Sequence, residues 1–137
     1  MRTHLECPFS VTGWEAAPYD EDAPGARLTR VQVKKSFTGD LQGESKGELL
    51  MCMADPADFL KGAGYVVSDR FAGTFRGAEA SFVFQHWGVS GGGAPPSTAG
   101  HIVPGSGTGA LTGLTGTLSI TRDDAGAHTL ILDYDLA

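Results

Sequence analysis

The stretch YVVSDRFAGTFRGAEASFVFQHWG, residues 65–88, decides the fold. In its first half Tyr65, Val67, Asp69, Phe71 and Phe75 share one face, and Ser68, Arg70, Thr74 and Arg76 take the other. In its second half Ala80, Phe82, Phe84 and His86 alternate with Glu79, Ser81, Val83, Gln85 and Trp87. A period of two is the signature of a strand with one face buried. Between the halves lies Gly73-Thr74-Phe75-Arg76-Gly77, whose glycines suit a tight turn. The stretch therefore predicts a β-hairpin that turns an apolar, aromatic face inward.

The same pattern extends in both directions. From Arg27 to Thr38, Val31, Val33 and Phe37 oppose Arg30, Gln32, Lys34 and Ser36. From Glu44 to Met53, Leu49, Met51 and Met53 oppose Glu48, Leu50 and Cys52, and the alternation does not say which set points inward. Leu118 and Ile120 share a face, as do Leu130, Leu132 and Tyr134. The opening segment, Arg2 to Glu15, is interrupted by Pro8, which implies an edge or a bulge. His101 to Val103 is a further short candidate. A helical signal occurs only near Asp55–Lys61, with Asp55 as cap and Pro56 at the first helical position. Ala16–Ala26, with the acidic run Asp20-Glu21-Asp22, and Ser90–Gly100, with three consecutive glycines and Pro95-Pro96, read as loops. Seven or eight regularly spaced short strands indicate an all-β sandwich or antiparallel barrel, in one domain spanning 1–137. A motif of glycine, any residue, an apolar residue, any residue, glycine occurs at 39–43, 73–77 and 109–113, each copy expected where a strand turns into the next.

Composition narrows the function. The net charge is −6, from 16 acidic and 10 basic residues. Lys34-Lys35 is the only basic pair in sequence, so nucleic acid and anionic membrane surfaces are not expected partners. No apolar run approaches the roughly 18 residues of a membrane helix, and no leader-like apolar segment opens the chain, so a cytoplasmic protein is expected. Cys7 and Cys52 match no metal spacing and are expected as free thiols. The four histidines are scattered, and neither a metal nor a cofactor is expected. The glycine-rich run Pro104–Gly109 lacks the lysine and the helix of a phosphate loop, and reads as a turn. Ser106, His86 and Asp69 make a triad only on paper, because the strand–helix elbow around the serine is missing.

The candidate site residues lie on apolar strand faces. Tyr65, Asp69, His86 and Tyr134 all project toward an interior if those faces line one, and burial then shifts their proton affinities. A small barrel builds a ligand pocket in this way, with a few polar anchors in an apolar wall. Several strands are apolar on both faces, as with Val66 beside Val67 and Trp87 beside Phe84. The outer face therefore needs a partner, and a homo-oligomer, a dimer by preference, is expected.

Phe37-x-Gly39-Asp40-Leu41-x-Gly43-Glu44-Ser45, then Gly73-x-Phe75-x-Gly77, Ser81-Phe82 and Gln85-His86-x-Gly88, then Val103–Gly109 running on to Leu111-x-Gly113-Leu114-x-Gly116, resemble the bacterial DUF3224 family. Trp14 and Leu132-Asp133-Tyr134 also fit. The resemblance covers nearly the whole chain. It implies a small antiparallel β-barrel of about eight strands, similar to allene oxide cyclase and related to dirigent proteins, and it brings no catalytic residue with it. The leading expectation is a barrel holding a small, largely apolar molecule. The alternatives are a cofactor-independent isomerase or cyclase of the allene oxide cyclase type, and a structural or partner-binding module with a filled core. A hollow of about 300 Å³ or more favours the first two over the third.

Overall fold

Extended segments must satisfy their backbone N–H and C=O groups on a neighbour. The computed structural model describes residues 2–136. There, β1 (Thr3–Tyr19), β2 (Arg27–Phe37), β3 (Leu41–Met53), β4 (Ala63–Phe75), β5 (Ala78–Gly91), β6 (Ala94–Ile102), β7 (Thr108–Gly109), β8 (Leu114–Arg122) and β9 (His128–Leu136) do so. They form one antiparallel sheet in the order β4-β3-β2-β1-β9-β8-β6-β5-β7. Because β4 pairs with β5 as well, eight strands close into a ring, and β7 is a two-residue addition to β5. Closure pairs most strands on both sides; β1 beyond Phe9 and β6 before Gly100 keep one side unpaired.

The hairpin of residues 65–88 forms as expected, from Ala63↔Ser90 to Phe75↔Ala78. The first two glycine motifs lie opposite each other on β3 and β4, with Leu41↔Phe75 and Gly43↔Gly73 in register. A methyl on Gly73 would stand 2.1 Å from the carbonyl oxygen of Gln42, so the two backbones approach closely where only glycine fits. The third copy spans the end of β7 and the turn into β8.

Three local expectations change. The helix near Asp55 shrinks to a single 3-10 turn, Phe59–Lys61, capped by Asp58. Asp55 instead accepts a hydrogen bond from the Ala57 amide, which makes a turn there rather than a helix start. The stretch Ser90–Gly100 is not a loop: β5 runs to Gly91 and β6 begins at Ala94. Its two prolines need no ladder amide: they fall at the register shift between Val89 and Gly91 toward β5, and β6 meets β8 only at Gly100 and His101. Likewise β1 continues through Pro8 to Tyr19. Pro8 stands beside the point where β1 changes partner, from β9 (Thr3–Phe9) to β2 (Phe9–Tyr19).

Inside the ring the core has two parts. At one end Phe71, Phe75, Phe82, Phe84, Leu130, Leu132 and Tyr134 belong to a closely packed apolar cluster. At the other, Val31, Val33, Leu49 and Val67 form a smaller one, flanked by Met51 and Tyr65. Between them lies a belt of buried polar residues: Lys35, Ser45, Asp69 and His86. The inward face of β3, open in the alternation, is the one carrying Ser45, Gly47, Leu49 and Met51, while Leu50 is exposed. Cys7 and Cys52 are both free, and burial, then Asp40, pushes the Cys7 thiol up to about 12.

Candidate functional site

β4 presents Tyr65 and Asp69 two residues to either side of Val67, so all three point inward. β5 places His86 beside them through the pair Val67↔His86. β2 adds Lys35 in the alternation Val31, Val33, Lys35, Phe37. Each polar side chain faces a small residue on the next strand: Asp69 opposes Gly47, Tyr65 opposes Gly88, His86 opposes Gly100, and Lys35 opposes Ser45. The clearance is required. A methyl on Gly47 would stand 2.3 Å from Asp69 Oδ1, and one on Gly88 would stand 2.5 Å from Tyr65 Cε1.

These groups form one hydrogen-bonded chain. Lys35 Nζ donates to Asp69 Oδ2 at 2.6 Å, and His86 Nε2 lies 2.9 Å from the same oxygen. Ser45 Oγ reaches Asp69 Oδ1 at 3.5 Å. Tyr65 Oη is 3.3 Å from His86 Nδ1. The direction follows from chemistry. A carboxylate only accepts, so His86 carries its proton on Nε2, and its bare Nδ1 accepts from the Tyr65 hydroxyl. Asp69 has no exposure, and Lys35 and His86 are 5% and 4% exposed. The Lys35 ammonium also sits 5.7 Å from the ring centres of Phe9 and Phe84, a favourable placement for a cation.

Burial and partners set the charges. Burial pushes the Asp69 carboxyl up, but hydrogen bonds from His86 and Lys35 and the ammonium charge outweigh it, and its affinity for a proton falls below the ordinary value. His86 is held below the ordinary imidazole value by burial and by Lys35, against the pull of Asp69. Tyr65 is raised, first by burial and then by Asp69. The resting site is thus an ammonium–carboxylate pair, a neutral imidazole and a neutral phenol.

Lys35, Tyr65 and His86 line a hollow of about 180 Å³ at the less tightly filled end of the ring, with Phe9, Met51 and Ile120 in the wall and Trp14 among its lining residues. The register of β1 slips between Val11 and Gly13, and Val11 and Trp14 then pair with the inward-facing Lys35 and Val33. A bulge of this kind re-aims side chains near a rim, and Trp14 is 52% exposed there. A second hollow of about 170 Å³ adjoins this one, sharing Met51 and Tyr65 and reaching Phe59 of the 3-10 turn.

Of the residues singled out in the sequence, Tyr65, Asp69 and His86 come together. Asp69 does not line the hollow but stands behind Lys35 and His86 and holds both. Tyr134 lies elsewhere, packed against Phe75 in the main core with ring centres 6.4 Å apart. Ser106 is engaged with Val83 and Val103 backbone, so the third member after Asp69 and His86 is Tyr65. Lys35 escapes a reading that takes it as half of a basic pair, although it falls in step with Val31, Val33 and Phe37.

Comparison with known proteins agrees with the fold. A family model described as "Protein of unknown function (DUF3224)" matches residues 5–134. A crystal structure of a DUF3224-family protein of unknown function from Shewanella oneidensis MR-1 superposes with a TM-score of 0.82 at 32% identity, covering 100% of this chain and 98% of that one. No curated protein matches.

Proposed function

The chain belongs to the DUF3224 family, and from that premise and the geometry we propose that it binds a small, largely apolar molecule in the hollow at the Tyr65 end of its ring. The observation that carries the reading is a hollow with an apolar wall lined by an almost fully buried ammonium and imidazole and a half-buried phenol. Binding sites combine an apolar wall with a few fixed polar groups in this way. Maintaining a buried ion pair is costly compared with an apolar core of the same shape, which favours a role beyond packing.

The geometry also describes the ligand. At about 180 Å³ the hollow is smaller than the roughly 300 Å³ at which drug-sized ligand pockets begin. The ligand is therefore small, or its tail leaves past Trp14 or into the hollow beside Phe59. Lys35 has N–H donors left after serving Asp69, and the Tyr65 oxygen keeps lone pairs after donating to His86. A compact ring or short chain with a carbonyl oxygen matches these groups. Asp69 acts by holding Lys35 and His86. The filled main core speaks for a purely structural module only at the opposite end of the ring. Kinship with allene oxide cyclase barrels, a cytoplasmic location and a dimer through the outer face remain parts of this proposal.

The test is titration of a Trp87→Phe variant, in which Trp14 is the only tryptophan, with cyclic ketones of six to ten heavy atoms. Saturable quenching that Tyr65→Phe or Lys35→Met weakens supports the reading. No change in Trp14 emission up to the solubility limit contradicts it.

A further inference from the structure

We propose that the same site moves protons: Tyr65, backed by His86 and Asp69, exchanges a proton with the carbon next to the carbonyl of a bound ketone, while Lys35 holds the carbonyl oxygen. This deepens the binding reading and rests on it. Three observations carry it. The Tyr65 hydroxyl donates to a nitrogen whose partner nitrogen is fixed on a buried carboxylate, so the chain has one direction. The phenol oxygen, the acceptor of the arriving proton, belongs to a residue of the hollow's wall, as does the ammonium that would neutralise developing oxyanion charge. His86 Nδ1 carries no proton of its own and already faces the Tyr65 hydroxyl at 3.3 Å, while Asp69 at Nε2 is placed to offset the charge that burial opposes.

The step balances without an oxidant, a reductant or a cofactor. The C–H bond breaks, and its electron pair forms the carbon–carbon double bond of an enolate. The carbonyl π pair moves onto oxygen beside the Lys35 ammonium. The proton arrives at the Tyr65 oxygen as the phenol's own proton passes to His86 Nδ1, and the imidazolium so formed is stabilised by Asp69. Reversal returns a proton to the same carbon, which is exchange. In an unsaturated ketone it can return to the far carbon, which shifts the double bond. Proton transfer by a positioned side chain accelerates such steps roughly 100-fold or more. Tyr65 is the catalytic residue in this scheme, and His86 and Asp69 are positioning residues.

The experiment follows loss of the α-proton NMR signals of cyclohexanone in D2O with the full-length Trp87→Phe protein, alongside Trp14 emission as the measure of occupancy. The expected result is exchange roughly 100-fold faster than in matched buffer. Tyr65→Phe is expected to return the rate to that of buffer while cyclohexanone still quenches Trp14. His86→Ala is expected to lose the rate and to recover part of it on adding imidazole, which a merely structural histidine would not allow. Exchange at the buffer rate while Trp14 reports occupancy overturns the proposal and leaves the binding reading standing, as does full activity in Tyr65→Phe. Absence of any Trp14 response overturns both.

Discussion

Lys35 and Asp69 show what one buried pair does to the chain around it. Removing one partner strands a charge and costs about 3–5 kcal/mol, whereas replacing both with apolar groups of similar shape can be nearly neutral. Lys35→Met is therefore expected to lower unfolding free energy by about 3–5 kcal/mol, and Lys35→Met with Asp69→Leu by much less than the two single losses combined. Urea unfolding of the four proteins measures this, and simple additivity would contradict the buried pair. Acid adds a second expectation at this scale. The folded protein binds a proton at His86 less readily than the unfolded chain, so stability is full above 6.5 and falls as pH drops below it. His128, also lowered, acts in the same direction, and exposed His4, which is raised, acts against it. Asp69, held below its ordinary 3.8, adds a further loss only when pH falls through that region. The midpoint of urea unfolding should decline from pH 7 to 5, and His86→Gln should flatten that decline. Tyr65, Asp69 and His86 are legible in sequence because alternation alone turns them inward. Tyr134 alternates inward too, but which level of the ring it reaches depends on register, which a single strand's period does not contain.

At the scale of elements, register creates neighbours that sequence separates. Lys34, Lys46 and Arg70 stand in one row across β2, β3 and β4, on the outer face. Like charges directly opposite one another destabilise a sheet, by about 0.2–1 kcal/mol a pair. Lys46→Gln is thus expected to stabilise the protein by up to about 1 kcal/mol in low salt, with the gain vanishing near 1 M salt as the charges are screened. A loss of stability in low salt would contradict the row. The seam between β6 and β8 is the ring's narrowest, with two paired positions, and Thr98 Oγ1 bridges it by donating to the Ile120 carbonyl at 3.1 Å. Neither the row nor the seam is legible in sequence, since both need the pairing of distant strands. The hairpin of β4 and β5 is legible, because its turn and both its faces lie within one stretch.

For the whole molecule, closure of the ring is what converts alternating faces into an interior. The outward set Leu50, Val66, Trp87 and Val89 is left exposed, at 45–63%. If a second copy covers this face as proposed, light scattering at micromolar concentration should give about twice the 14.3 kDa chain mass, and Val66→Lys with Trp87→Lys should return it to one chain. A single-chain mass for the wild type would remove the dimer and leave the interior site untouched. The glycines opposite Asp69, Tyr65 and His86 tie the fold to its buried polar belt. They lie on β3, β5 and β6, and the consecutive pairing β3-β4-β5-β6 brings the clearances to one place. The interior holds a hydrogen-bonded chain in which Tyr65 donates to His86 and His86 to Asp69, while Lys35 donates to Asp69 from the other side. Long-range proton–nitrogen NMR of His86 at pH 7 tests it most directly. The expected result is a protonated Nε2, a bare Nδ1 and no titration of the ring near 6.5. A proton on Nδ1, or a ring that titrates as in a free peptide, would contradict it.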